Sequence, residues 1–261
     1  MEINRLKTGI PKASEDLQSF DELLSGGIPE NNIVLVTGPA GSGKSIFSLQ
    51  FLVNGAEEFN EKGIYISFEQ SREDIIQQAQ AFNWDIKRLE EEGKIKVLTH
   101  SVTADQPSRM LKDLEDKIRE YQPKRVVVDS ISTFAVYMEI IGFIELVMDY
   151  SLEEKKHVKI SSEMATRKTI MNLIETLKAC KVTALLISER SEESGFLSRD
   201  TVSEFLADGI ISLNFIGVAG DQFGDIQVRK MRHTNHAHQP FLTHISENGM
   251  SIGEETVEGM H

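Results

Sequence analysis

The sequence predicts an α/β fold, a mostly parallel sheet flanked by helices with antiparallel strands added toward the C-terminus. Three observations lead there. Up to residue 188, short β-branched runs alternate with longer helical patterns, the rhythm of strands joined by crossover helices. One early run passes through a glycine-rich loop directly into a helix. Beyond residue 208, strand-like runs follow one another with little room for helices, which suits antiparallel strands on one edge.

Strands of the parallel part are read at 33–37, 64–68, 95–98, 125–129 and 182–188, each a short apolar run of the kind buried on both faces of a sheet. Helices are read at 45–59, 72–82, 108–121 and 163–179, the last two with apolar residues spaced by three and four. The most apolar stretch, 134–150, reads as a partly buried helix. Glu139, Glu145 and Asp149 interrupt it before the ~18 apolar residues that a membrane span needs. Edge strands are read at 209–214, 225–230 and 241–245.

Length and composition agree. The 261 residues are 40% hydrophobic and 26% charged, ordinary for a globular chain and enough for a full core. No repeat, low-complexity linker or shift in composition marks a boundary, so one domain over 1–261 is expected, with its core at about 8–253. The polar ends, 1–7 and 254–261, are expected to be loosely held. A formal charge of −13 argues against a free-standing nucleic-acid clamp. Cys180 is the one cysteine, which leaves no intrachain disulfide or thiolate metal site. With an N-terminus that lacks a basic head and apolar run, this reads as cytoplasmic.

The glycine-rich loop is Gly38-Pro39-Ala40-Gly41-Ser42-Gly43-Lys44-Ser45, a match to G-x-x-x-x-G-K-[ST] between strand and helix. Glycines let the backbone turn its N–H groups onto phosphate oxygens at a helix N-terminus that already favours anions. Lys44 is placed to reach the β- and γ-phosphates of a bound nucleotide, and the Ser45 hydroxyl to coordinate Mg²⁺.

In a parallel sheet, ligands sit beyond the carboxyl ends of the strands, so the other active residues are sought where strands end. Arg125-Val126-Val127-Val128-Asp129 ends in a carboxylate, the form expected of the residue that holds Mg²⁺ beside a P-loop. The alternative is a strand-ending Asp in a turn. Ile64-Tyr65-Ile66-Ser67-Phe68-Glu69 ends likewise, and Glu69 is the candidate for polarising the attacking water, on the expectation that its strand adjoins the P-loop strand. The alternative is a cap on the helix starting near Ser71.

Further blocks sharpen the reading. Thr8-Gly9-Ile10-Pro11 and Phe20-Asp21-Glu22-Leu23-Leu24-Ser25-Gly26-Gly27-Ile28-Pro29 precede the loop. Phe68-Glu69-Gln70-Ser71, Ala81-Phe82-Asn83-Trp84-Asp85, Ser188-Glu189-Arg190, Val202-Ser203-Glu204-Phe205-Leu206-Ala207-Asp208-Gly209 and Lys230-Met231-Arg232-His233-Thr234-Asn235-His236 follow it. Across nearly the whole chain these resemble the KaiC family within the RecA/RadA-type ATPases. The resemblance implies a RecA-like P-loop NTPase core, with Mg-ATP between neighbouring subunits of a ring, usually a hexamer. It also implies a K-x-R-x-T-x-H strand facing the next subunit's nucleotide. By position, Lys230 and Arg232 are then cations acting in trans on the γ-phosphate, alongside Lys44 and Glu69, while Thr234 and His236 lie near the phosphates or ribose. Residues i and i+2 of a strand share a face, which independently lets both cations reach one ligand. The alternative is a solvated basic edge that discourages aggregation.

Two departures from the family pattern bear on function. Many relatives carry two consecutive glutamates where this chain has Glu69-Gln70, which points to slow turnover. The stretch between Asp129 and the Thr166-Arg167-Lys168 helix is also longer, an insertion at about 134–162 that is either packed or a docking face for a protein partner. Among other features, His233, His236, His238 and His244 cluster, but no Cys or carboxylate completes a zinc spacing. Cys180, Phe82 and Trp84 read as core residues. The segment 189–205 carries Glu189, Glu192, Glu193, Asp200 and Glu204 against Arg190 and Arg199, so it should repel DNA. The expectation is a slow ATPase ring coupled to conformational signalling. The alternatives are a regulatory scaffold that binds ATP with little turnover, and a recombinase-like DNA-binding ATPase, which the acidic segment disfavours.

Overall fold

The apolar run at 33–37 becomes β3 (Ile33–Gly38), a central strand of a nine-stranded sheet. The computed structural model describes residues 3–99, 107–149, 162–190, 197–198, 201–218 and 221–255. Before β3 come β1 (Arg5–Leu6), α1 (Phe20–Leu23) and β2 (Ile28–Pro29). The α/β part continues with α2 (Lys44–Glu57), β4 (Gly63–Ser67), α3 (Arg72–Gln80), α4 (Ile86–Glu91), β5 (Ile95–Thr99) and α5 (Pro107–Tyr121). Then come β6 (Arg125–Asp129), α6 (Ile131–Asp149), α7 (Ser162–Ala179), β7 (Thr183–Glu189) and α8 (Ser203–Leu206). The chain closes with β8 (Gly209–Val218), β9 (Asp221–Met231), β10 (Phe241–Ser246) and β11 (Gly249–Glu255).

Strand order is β11-β10-β9-β8-β3-β7-β6-β4-β5. The six strands from β8 to β5 run parallel, and β9, β10 and β11 are antiparallel additions at the β8 edge. Burial on both faces follows from helices on both sides. Along β3, Val34 and Val36 join a core with Phe47, Phe51 and Ile75, while Ile33 and Leu35 join another with Leu114, Phe134, Ile170 and Leu173. This is why the strand reads as a continuous apolar run instead of an alternating one.

The order corrects one expectation. β4, which leads to Glu69, does not adjoin β3: β7 and β6 lie between them. Adjacency in sequence does not give adjacency in a doubly wound sheet, because later crossovers insert strands beside the first.

The ends are also held more firmly than expected. Arg5 and Leu6 pair with Pro29 and Ile28, and Arg5 Nη1 donates to Gly27 O and Thr234 Oγ1, both at 3.0 Å. At the other end Glu254 and Glu255 belong to β11. Two-residue strands and a final edge strand carry too little periodicity to be seen in sequence. Residues 1–2 and 256–261, also expected to be loosely held, lie outside the described residues.

The apolar helix α6 begins inside the core. Phe134 and Met138 are buried against α7 residues such as Ile170 and Leu173, whereas 150–161 of the expected insertion lie outside the described residues. Among the described residues, no helix is long and apolar enough to cross a membrane.

Candidate nucleotide site

β3 delivers the glycine-rich loop to the carboxyl edge of the sheet, and Gly43 caps α2 at φ +89°, a left-handed conformation that disfavours other residues. A Cβ there would also lie 2.9 Å from Met250 Cε. Lys44 is folded onto the loop, its Nζ donating to Pro39 O at 2.7 Å. Burial lowers the ammonium pKa of Lys44, and the carboxylates of Glu189, Asp129 and Glu69 oppose that shift. Ser42 Oγ is buried in the same loop without a hydrogen-bond partner among the described residues. An orphaned hydroxyl beside inward-facing loop amides fits a phosphate cradle.

Asp129 ends β6, two strands from β3, and is 3% exposed. Its Oδ2 accepts a short hydrogen bond from the Tyr65 hydroxyl, and the Ser45 side chain hydrogen-bonds to it as well. Burial raises the carboxyl pKa, Glu69 adds to the rise, and the Tyr65 and Ser45 hydrogen bonds and the Lys44 charge act against it. A buried carboxylate touching the P-loop serine is an all-oxygen donor set, the chemistry that suits Mg²⁺.

Glu69 reaches the same cleft from β4 although its strand is not the neighbour. Its Oε1 accepts short hydrogen bonds from Ser130 Oγ and Thr133 Oγ1 at the start of α6. The capping alternative fails: Ser71 itself caps α3, in a reciprocal pair with Asp74. Lys44, Ser45, Glu69, Asp129 and Glu189 thus line one open cleft of about 600 Å³. Sequence reading missed Tyr65, Ser130, Thr133 and Glu189 as participants. Two signals were usable: Glu189, like Asp129 and Glu69, is a carboxylate at a strand end, and Ser130 and Thr133 are three apart after Asp129, a spacing that aligns them on one turn of helix.

Lys230, Arg232, Thr234 and His236 do not line this cleft. β9 ends at Met231, and His233 has φ +60°, so Arg232 lies in a turn and the shared-strand-face expectation does not hold for it. The two cations converge nevertheless. Lys230 Nζ donates to Ala207 O at 2.7 Å, and Arg232 Nη1 to Asp208 Oδ1 at 2.8 Å. Thr234 Oγ1 receives Arg5 Nη1, and the His236 ring lies 4.6 Å from that of His238.

Elsewhere, Trp84 is buried and stacks on Phe82 at 5.0 Å. Cys180 is half-buried against the α5–α7 core rather than enclosed by it. Residues 191–196 and 199–200 of the acidic segment lie outside the described residues.

The family model described as "ATPase: KaiC" matches residues 7–142 and 151–257. Its break falls inside the expected insertion. The circadian clock oscillator protein KaiC of Nostoc sp. (strain PCC 7120) is 30% identical over 257 residues, 95% of this chain and 45% of that protein. That of Synechococcus elongatus is 29% identical over 252 residues, 93% of this chain and 44% of that protein. The chain therefore spans less than half the length of these relatives. A crystal structure of the KaiC-like protein PH0186 from Pyrococcus horikoshii OT3 superposes with a TM-score of 0.77 at 30% identity, covering 96% of this chain and 99% of that one. On the family match over most of its length and the structural likeness, the chain belongs to the KaiC family of ATPases, with its RecA-like fold.

Proposed function

We propose that the chain binds Mg-ATP in this cleft and hydrolyses it slowly, as a subunit of a ring in which each nucleotide lies between neighbours, to drive conformational signalling. One observation carries the reading: Lys44, Ser45, Glu69 and Asp129, scattered over the sequence, line one cleft at the carboxyl edge of the sheet. Loop amides and Lys44 would hold the phosphates, and Glu69, fixed by Ser130 and Thr133, would orient and deprotonate the attacking water. Ser45 and Asp129 would hold Mg²⁺, which when bound neutralises charge on the phosphate oxygens.

Lys230 and Arg232 lie outside their own subunit's cleft, and the Arg232 side chain is 50% exposed. That placement supports their acting in trans, with Thr234 and His236 beside them. A trans arginine is worth about 10³ to 10⁵ in rate, or about 4–7 kcal/mol, so hydrolysis should require assembly.

A second reading is a scaffold ring that binds ATP with little turnover. Gln70 favours it, standing where the family pattern has a second carboxylate, with its Oε1 buried without a partner among the described residues. Phosphate release by wild type, Glu69→Gln and Arg232→Ala, with native mass measured on the same samples, separates the two. Rings that form with ATP yet release no more phosphate than Glu69→Gln would leave only the scaffold. Salt-dependent DNA binding at low ionic strength would revive the recombinase-like alternative.

A further inference from the structure

Asp208, between α8 and β8, is only 9% exposed and lies where two distant parts of the chain meet. Its backbone N–H donates to Ile33 O at 2.7 Å, and its Oδ2 accepts from Ile33 N at 3.1 Å. It is therefore zipped to the first residue of β3, the strand that ends in the P-loop. On its other side, Asp208 O accepts from Arg232 N at 2.9 Å and Oδ1 from Arg232 Nη1 at 2.8 Å. Lys230 Nζ is held by the neighbouring Ala207 carbonyl. Lys178 Nζ, from α7, lies 3.2 Å from Asp208.

We propose that Asp208 is the positioning residue that aims Arg232 at the neighbouring subunit's triphosphate from a fixed anchor on β3, beside a Lys230 held by the Ala207 carbonyl, a role that rests on the trans reading above. Arg232 stands in a turn past the end of its strand, where a long side chain without a partner loses its direction. Two contacts from Asp208, one to its backbone and one to its guanidinium, fix both its root and its tip. One carboxylate cannot neutralise Lys178, Lys230 and Arg232 together. The cluster therefore keeps positive charge, and the half-exposed Arg232 presents it outward to a polyanion.

The test is complementation in mixed rings. Asp208→Asn keeps the size and a carbonyl oxygen for Ile33 N but loses the charge that holds Arg232. Alone, it should assemble and bind a fluorescent ATP analogue as wild type does, with phosphate release about 10²-fold lower, as expected of a reacting group moved by about 1 Å. Glu69→Gln rings lack a competent cis site but carry an intact Asp208–Arg232 pair. Mixing the two should restore release, because about a quarter of interfaces in a random ring then pair an intact cis site with an intact donor. Arg232→Ala mixed with Glu69→Gln serves as the control.

If that control is restored while the Asp208→Asn mixture is not, Asp208 acts through Ile33 on its own P-loop, and the proposal is wrong. Unchanged release by Asp208→Asn alone, or loss of its analogue binding, overturns it equally. If the Arg232→Ala control is not restored, or wild-type rings release no phosphate, the trans reading itself fails and takes the proposal with it.

Discussion

The Tyr65 hydroxyl donates a hydrogen bond to the buried carboxylate of Asp129, and the Ser45 side chain touches both residues. The carboxylate must be ionised to hold a divalent cation, while burial pushes its pKa up. The phenol favours the ionised form and so works against that rise. Tyr65→Phe removes the donor and leaves the burial, so the Asp129 pKa moves further up. The acid limb of Mg-dependent phosphate release is expected at higher pH in the variant, with half-saturation by Mg²⁺ weakened about tenfold at neutral pH. Turnover measured across pH and Mg²⁺ concentration checks both. A limb that stays in place would show that Tyr65 only packs.

Ser130 and Thr133 both donate to one oxygen of Glu69. Replacing them by Ala and Val removes the donors with little change in volume and frees the carboxylate to rotate. Phosphate release is expected to fall about 10²-fold, with affinity for a fluorescent ATP analogue unchanged because Lys44 and the loop are untouched. Equilibrium binding and single-turnover kinetics on the double variant separate the two effects.

The same contacts show what the sequence could and could not convey. Strands buried on both faces announce themselves as apolar runs, and Lys44, Ser45, Asp129 and Glu69 stand at motif positions or strand ends, so the elements of the site were legible. Their mutual placement was not. β6 and β7 come between β3 and β4 through later crossovers, and nothing local to Glu69 records that. Tyr65 sits in an apolar strand where an aromatic residue needs no explanation, and Asp208 gains its partners from residues 175 positions earlier and 24 later. Such pairings are set by topology, to which periodicity is blind.

Gln70 Oε1, next in sequence to Glu69, is buried without a hydrogen-bond partner among the described residues. Gln70→Glu is nearly isosteric and places a second carboxylate next to Glu69. Burial and the neighbouring Glu69 charge will hold the new carboxyl above its ordinary pKa, so it ionises late as pH rises. Phosphate release is expected to increase roughly severalfold, with the gain confined to the upper part of the pH range. Glu69→Gln/Gln70→Glu should stay inactive, since the new group lacks the Ser130 and Thr133 contacts. A pH series on both variants measures this.

At the opposite end of β6 from Asp129, the Arg125 side chain is fully buried. It pairs with Glu61 and donates to Phe51 O at 2.7 Å and Lys7 O at 2.8 Å. Gly55 makes room for it: a Cβ there would lie 2.4 Å from Arg125 Nε. The guanidinium cannot retreat, being pinned on three sides, so Gly55→Ala should cost about 1–3 kcal/mol through overpacking. Arg125→Ala should cost about 3 kcal/mol, because it leaves the Phe51 and Lys7 carbonyls and Glu61 Oε2 without their donor, although Glu61 Oε1 keeps Lys124 at 3.2 Å. The effects must not add. With the guanidinium gone, the methyl group fills vacated space and the intrinsic helix preference for Ala over Gly asserts itself, worth about 1 kcal/mol. Gly55→Ala is therefore expected to destabilise the wild type but to stabilise Arg125→Ala, a reversal of sign that a double-mutant cycle by chemical denaturation reads directly. The same sign in both backgrounds would mean that Gly55 is required for some reason other than Arg125.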